Sequence, residues 1–264
     1  MKFLKFLVFG LCCVWLTSCL EINENVEIKA NGSGKVSTTT DLSQLVDMMS
    51  AMGGEEFDKK KDEKIDTVIE MKKFLDTAKG LTAEQKALLM NGKIRMKMNL
   101  AEKVFNINME FPFDNLEKYQ QLNNLLNSGA GGMDNIMKSV MGGGAPEKDS
   151  SIGITDQPAP VNSPGMEQLT SVFDFNASNG LIKKTLNQEK YKKLMEDPQV
   201  QQLKQGSEMG VELLYTTTFK LPRPIKKVDN PSAKISDDKK TVIIRNNLLD
   251  ILTAPQKFEY TIQY

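Results

Sequence analysis

Residues 93–111, KIRMKMNLAEKVFNINMEF, decide the fold class. Ile94, Met96, Met98 and Leu100 alternate with Lys93, Arg95, Lys97 and Asn99. After Ala101-Glu102-Lys103, the residues Val104, Phe105, Ile107, Met109 and Phe111 answer them. A period of two puts one set of side chains on one face of a strand, so this is a hairpin with one face wet and one buried, as in an antiparallel sheet.

The same reading extends outward in both directions. Val26, Ile28 and Ala30 alternate before Asn31-Gly32-Ser33-Gly34, and Val36 to Leu42 returns the chain, which predicts a first hairpin over 20–42. A helix is expected at 42–52, capped by Asp41 or Ser43. A second is expected along Ile65, Val68, Ile69, Met71, Lys72 and Leu75. Thr82-Ala83-Glu84-Gln85 is a capping box, and the helix it opens ends at Asn91-Gly92. Another runs from Asp114 to Asn127.

Past a break, strands are expected at 170–177 and 180–186 about Asn179-Gly180, and helices at 187–196 and 198–206. A long strand follows at 209–220, then a hairpin of Ala233–Ser236 with Thr241–Asn246, and a last strand from Lys257 to Gln263. Hairpins interrupted by helix pairs, without regular βαβ alternation, predict an α+β protein with mainly antiparallel sheet.

The break is residues 128–165, rich in glycine and proline, and reads as a flexible linker. It separates an N-terminal α+β part, 19–127, from a C-terminal part, 166–264, and one sheet shared by the two is open on this reading. Inside the linker, Met133, Ile136, Met137, Val140 and Met141 keep helical spacing. They form a short helix docked on the core or a disordered stretch, or else a mobile lid or docking peptide whose methionines adapt to an apolar ligand or partner.

The first 19 residues carry a different message. Lys2 and Lys5 precede an apolar run of about eleven residues, Phe6 to Leu16, followed by Thr17-Ser18-Cys19. Such a run suits a secretory signal and is too short to span a bilayer. Leu16-Thr17-Ser18-Cys19 resembles the lipobox of bacterial lipoproteins. The resemblance implies removal of residues 1–18, a diacylglycerol thioether on Cys19, and acylation of its amino group. Buried acyl chains contribute about 0.8 kcal/mol per CH₂, so two or three anchor a protein durably. Leu20, in place of Asp, implies sorting to the outer membrane, facing the periplasm, with the cell surface as the other option.

Processing at Cys19 also accounts for the cysteines. Cys12 and Cys13 leave with the signal and Cys19 is alkylated, so no disulfide is expected. The loss of Lys2 and Lys5 leaves 32 basic against 34 acidic residues, a net of −2, without the basic field that nucleic acid requires.

The chain has no histidine. This excludes Ser/His/Asp catalysis, and cysteine catalysis goes with the thiols. Ser236-Asp237-Asp238-Lys239 matches Ser-x-x-Lys but falls on a polar turn. Asp174-x-Asn176-x-Ser178 suggests a calcium loop, yet Asn179 and Thr185 stand where glycine and glutamate are needed. No catalytic residue, metal site or cofactor is expected.

Arg223, Lys226 and Lys227, beside Pro222 and Pro224, form a solvated loop or a contact for lipid phosphates. The stretch Leu213–Tyr264 resembles the LppM-type domain of actinobacterial lipoproteins: a strand running into proline, a hairpin through Asp-Asp-Lys-Lys-Thr-Val, and a leucine pair. That resemblance implies lipid or glycolipid binding; the family's C-terminal membrane helix is not expected here.

The expectation is therefore a lipid-anchored, non-catalytic envelope protein that binds a lipid, another apolar ligand or an envelope protein. A purely structural or interaction lipoprotein is the alternative. A carboxylate hydrolase, with two acids about 5–9.5 Å apart, ranks third.

Overall fold

A computed structural model describes residues 19–44, 46, 50, 62, 64–75, 81–127, 166–208 and 212–264. The fold is α+β, built on two mostly antiparallel sheets. The strands are β1 (Cys19–Ile28), β2 (Gly34–Asp41), β3 (Lys64–Glu70), β4 (Lys93–Asn99), β5 (Val104–Phe113), β6 (Phe173–Ser178), β7 (Leu181–Leu186), β8 (Glu212–Lys220), β9 (Lys227–Asp229), β10 (Ala233–Ile235), β11 (Thr241–Asn247) and β12 (Tyr260–Gln263). The helices are α1 (Lys72–Leu75), α2 (Ala83–Leu89), α3 (Leu116–Leu126), α4 (Met166–Ser171), α5 (Gln188–Met195) and α6 (Pro198–Glu208).

The large sheet has the order β10-β11-β8-β1-β2-β5-β4-β3, and the small one β6-β7-β12-β9. β1 and β8 pair in parallel, Cys19 opposite Glu212 and Glu27 opposite Lys220, so strands from both sides of residues 128–165 share the large sheet.

The β4–β5 hairpin forms as its alternation requires. Ile94, Met96 and Met98 are buried, while Lys93, Arg95 and Lys97 are exposed. Lys103 takes a left-handed φ of 55° in the turn. The first hairpin also forms, with Val26 opposite Val36, and Gly32 at φ 82° closes its turn. The Thr82 capping box is complete: Gln85 N–H donates to Thr82 Oγ1, and Thr82 N–H donates to Gln85 Oε1. Asn115 Oδ1 caps α3 in the same manner by accepting from Lys118 N–H.

The helix expected from Ile65 to Leu75 is instead strand β3 followed by the single turn α1. Ile65, Thr67 and Ile69 are half-buried while Asp66, Val68 and Glu70 face solvent, a period of two. The β-branched residues Ile65, Thr67, Val68 and Ile69 favour strand, and β4 supplies a full register of partners. Val68, 55% exposed, had supplied the apparent helical stripe.

Other boundaries move less. α4 runs to Ser171, so β6 opens at Phe173 rather than residue 170. Pro255–Phe258 is a 3-10 turn, which shortens the last strand to Tyr260–Gln263. β9 and the 3-10 turn Leu248–Leu252 were not expected. Of the helix expected at 42–52, Ser43, Gln44, Val46 and Ser50 are helical and the rest lies outside the described residues. The stretch 128–165, with Met133, Ile136, Met137, Val140 and Met141, also lies outside them.

The inner face of the large sheet is covered in two ways. Over β3, β4 and β5 lie the helices, with Leu75 of α1, Leu89 of α2, and Tyr119, Leu122 and Leu125 of α3 buried. Over β1, β8 and β11 lies the small sheet, which brings Phe175, Ile182, Tyr260 and Ile262 into the same core. A second apolar cluster gathers Leu169, Phe173, Leu194, Val200, Leu213 and the Leu248–Leu252 turn.

Candidate functional site

Between the two apolar clusters lies a polar layer. Along β1, Leu20 and Ile22 pack on the second cluster and Val26 and Ile28 belong to the first, with Glu24 between them. Along β8, Leu213 and Tyr215 precede Thr217, and Phe219 follows it. Along β7, Leu186 and Ile182 flank Lys184. Alternate residues of paired strands share a face, so Glu24, Thr217 and Lys184 all point between the sheets.

Glu24 is 9% exposed. Its carboxylate accepts hydrogen bonds from the Tyr215 hydroxyl at 2.9 Å and the Thr217 hydroxyl at 3.2 Å. A buried carboxylate needs such donors, because leaving it unpaired in low dielectric costs several kcal/mol. Burial, and next the charge of Glu24, push the Tyr215 phenol well above its ordinary pKa. The same two causes raise Tyr260.

Lys184 is part-buried, with its ammonium 4.8 Å from the centroid of the Phe173 ring and 6.0 Å from that of Tyr215. It makes no hydrogen bond or ion pair among the described residues. Ring faces attract a cation but satisfy none of its three N–H donors. Desolvation holds its pKa below the usual lysine value, and the charge of Glu24 acts in the opposite direction.

Lys184 also lines a cavity of about 450 Å³ at the edge of the small sheet. Its other walls are the last turns of α3 (Asn123, Asn124, Asn127), the end of α4 (Thr170, Ser171), Phe173, Asp174 and Phe175 of β6, and Lys190 of α5. This volume is in the range of small-molecule pockets. β6 is an edge strand, and α3 lies along it, with Gln120 Oε1 accepting from Ala177 N–H at 3.2 Å. The cavity opens where α3 ends.

The two lysines of the cavity differ. Lys190 Nζ donates to Asp174 Oδ1 at 2.8 Å, and Asn187 Nδ2 donates to Asp174 Oδ2 at 2.9 Å. Those bonds, that of Lys190 first, hold the Asp174 carboxyl below its usual range. Asp174 and Lys190 thus neutralise each other, and Lys184 is left as the one charged residue of the lining without an ion-pair partner among the described residues, with Glu24 acting on it from the interior behind.

Tyr119 is the other buried group of interest. It is fully buried, stacks on Phe113 at 4.9 Å and meets the edge of Phe175 at 5.1 Å. Its hydroxyl has no hydrogen-bond partner among the described residues. Desolvation raises its pKa well above the ordinary value.

Cys19 opens β1, and its backbone pairs with Glu212. Arg223, Lys226 and Lys227 lie at the opposite end of the sheet. The strands rise about 3.3 Å per residue, so roughly 25–30 Å separates Cys19 from the end of β8. Arg223 Nη2 donates to Asn179 Oδ1 at 2.6 Å, and its guanidinium lies 5.4 Å from the Tyr264 ring centroid. Lys226 Nζ reaches the main-chain oxygen of Tyr264 at 3.4 Å, and Lys227 opens β9. Arg223 and Lys226 thus tie the end of β8 to the small sheet. Arg223, Lys226 and Lys227 therefore lie at the end of the sheet away from Cys19.

Ser236 and Lys239 occupy the β10–β11 turn, where Lys239 has φ 56° and Ser236 Oγ accepts from Thr241 N–H at 3.0 Å. Asp174 faces Lys190 and Asn187, and the Asn179-Gly180 turn beyond it has Gly180 at φ 84°. Among the described residues, no group of three or more Asp, Glu, Cys or His is placed to hold a metal ion, and no helix is long and apolar enough to cross a membrane.

Sequence reasoning did not find the cavity. Its lining comes from five separate elements, and the one available signal was Lys184, the second of two lysines in β7, standing on the same face as Ile182 while Lys183 faces solvent. No family model, curated protein or solved structure matches this chain.

Proposed function

We propose that this protein is a lipid-anchored bacterial envelope protein, non-catalytic, that holds a small polar ligand in the cavity between α3, α4 and β6. The anchor is Cys19, and its support is the basic–apolar–Leu-Thr-Ser-Cys pattern of residues 1–19. The observation that carries the binding role is the cavity of about 450 Å³ with Lys184 in its wall. Its lining of amides, hydroxyls and charges favours a polar ligand over the apolar one expected from sequence.

Placement at the outer membrane, facing the periplasm, belongs to the same proposal and rests on Leu20 following Cys19. An interaction lipoprotein with no ligand is the competing reading.

The test has two arms. Labelled fatty acid should enter the wild-type chain and not Cys19→Ala, and the variant should leave the membrane fraction. Residues 20–264, produced in the cytoplasm and examined by native mass spectrometry, should carry a small mass that Asn124→Trp, which fills the cavity, does not. A bare polypeptide in both proteins favours the interaction reading.

A further inference from the structure

We infer that the cavity recognises a small organic anion, a carboxylate or phosphate bearing hydroxyl or amide groups, whose charge is met by the Lys184 ammonium. This rests on the binding role proposed above and adds the class of ligand.

Three observations lead to it. First, the sign of the site is unbalanced. Among its charged lining residues, Asp174 and Lys190 are paired at 2.8 Å, which leaves Lys184. The acid in the interior whose charge acts on Lys184, Glu24, takes its hydrogen bonds from Tyr215 and Thr217 and makes no ion pair with the ammonium, so the three N–H donors of Lys184 stay unmet among the described residues.

Second, Lys184 is held in place rather than extended into solvent. The Phe173 and Tyr215 rings lie against its ammonium, and β7 is hydrogen-bonded on both sides, to β6 and β12. A desolvated ammonium without an anion is costly, and an incoming carboxylate or phosphate offers the charge-assisted bonds it lacks. The lowered pKa of Lys184 is the counterpart of that lack.

Third, the rest of the lining suits the uncharged part of such a ligand. The side-chain amides of Asn123 and Asn124 make no hydrogen bond among the described residues, and each offers two donors and an acceptor. Phe173 and Phe175 supply apolar walls. A few converging polar groups against an apolar wall are what orient a small ligand.

The same anionic chemistry reaches an envelope protein from free solutes or from lipid headgroups. Methylation of the lysines with ¹³C-labelled methyl groups allows the Lys184 signal, assigned by its loss in Lys184→Met, to be followed by NMR in residues 20–264. The probes are N-acetylalanine against its neutral amide, glycerol 3-phosphate against glycerol, and phosphatidylglycerol vesicles against phosphatidylcholine vesicles.

The inference expects that at least one anionic member moves the Lys184 signal and raises its titration midpoint, with its neutral partner at least tenfold weaker. Unmethylated Lys184→Arg should keep affinity for that probe within about tenfold, and Lys184→Met should lose it, as measured by calorimetry. Response to free anions identifies a solute site, and response to the anionic vesicles alone identifies a headgroup site; either supports the inference.

Two results would overturn it. Neutral and charged members binding equally well would retain the cavity as a binding site and remove the role of Lys184. Silence of the Lys184 signal toward every anion would do the same, whatever native mass spectrometry finds bound. Circular dichroism of Lys184→Met guards against misfolding, and if that variant does not fold, the paired probes on the wild type decide the matter alone.

Discussion

The two halves of the large sheet are covered by different things and have different interiors. Over β3, β4 and β5, three helices meet a face of Ile94, Met96, Met98, Ile107 and Phe111, and every charged residue of β4 points outward. Over β1, β8 and β11, a second sheet closes on Glu24, Thr217, Tyr215 and Lys184. The first half shows that this chain can build a dry interior where stability is all that is needed. The second keeps four polar side chains where apolar ones would pack, and those groups lie at and behind the wall of the cavity. Burying such groups specifies structure or function at a cost in stability.

The comparison breaks most visibly in the dry half. Phe111 is 1% exposed and packs so closely over Gly92 that a Cβ there would overlap its ring. Phe111→Ala should cost about 3–5 kcal/mol in urea unfolding monitored by circular dichroism. A smaller loss would mean that the α2–α3 layer collapses into the space.

The polar half should respond to single and combined changes differently. Glu24→Leu leaves the Tyr215 and Thr217 hydroxyls without their acceptor, and a loss of about 1–3 kcal/mol is expected. Adding Tyr215→Phe and Thr217→Val should recover most of that loss, because replacing all partners of a buried network is far cheaper than removing one. Full additivity of the three losses would show that the layer is not a network.

Lys184 gives the same half a pH signature. Its folded-state pKa lies below that of the unfolded chain, so in the window between the two the unfolded state binds more protons. The penalty for the buried charge is fully present below the folded pKa, and stability rises with pH as it is relieved toward about 10.4. The raised phenols of Tyr119, Tyr215 and Tyr260 act oppositely, and their contribution is lost as pH climbs above about 10. Melting temperature against pH should therefore rise and then turn down in the wild type. Lys184→Met should lack the rise and keep the fall.

Tyr119→Phe removes a buried hydroxyl that has no partner among the described residues and should raise stability by about 1 kcal/mol. A clear loss instead would reveal a bound water or ligand on that oxygen. The smallest effect is expected on the wet face of the dry half. Arg95 and Asp66 form an exposed two-bond pair at 2.9 Å, and Arg95→Ala should leave the midpoint of unfolding within error.

The α+β architecture was legible because its hairpins announce themselves. Alternation in β4 and β5, Asn31-Gly32 and Asn179-Gly180 at the turns, and the Thr82 capping box are local signals that tertiary contacts had only to accept. β3 was misread because Ile65, Val68 and Ile69 fit a helix as well as a strand, and the deciding fact, a free edge on β4, lies 29 residues away at Arg95. The parallel pairing of β1 with β8 had no local trace. The cavity was illegible for the same reason: Asn124, Ser171, Phe173 and Lys184 meet only once the small sheet and three helices are assembled.

Cys19 is already a ladder residue of β1, which leaves no leash between that side chain and the folded body. If the cysteine carries lipid, the domain cannot wander above the bilayer as a tethered float does; it must stand on it, with the Arg223 end uppermost. Phe173 packs at the level of Leu20 and Ile22, so the cavity would open low on the flank, within sight of the headgroups.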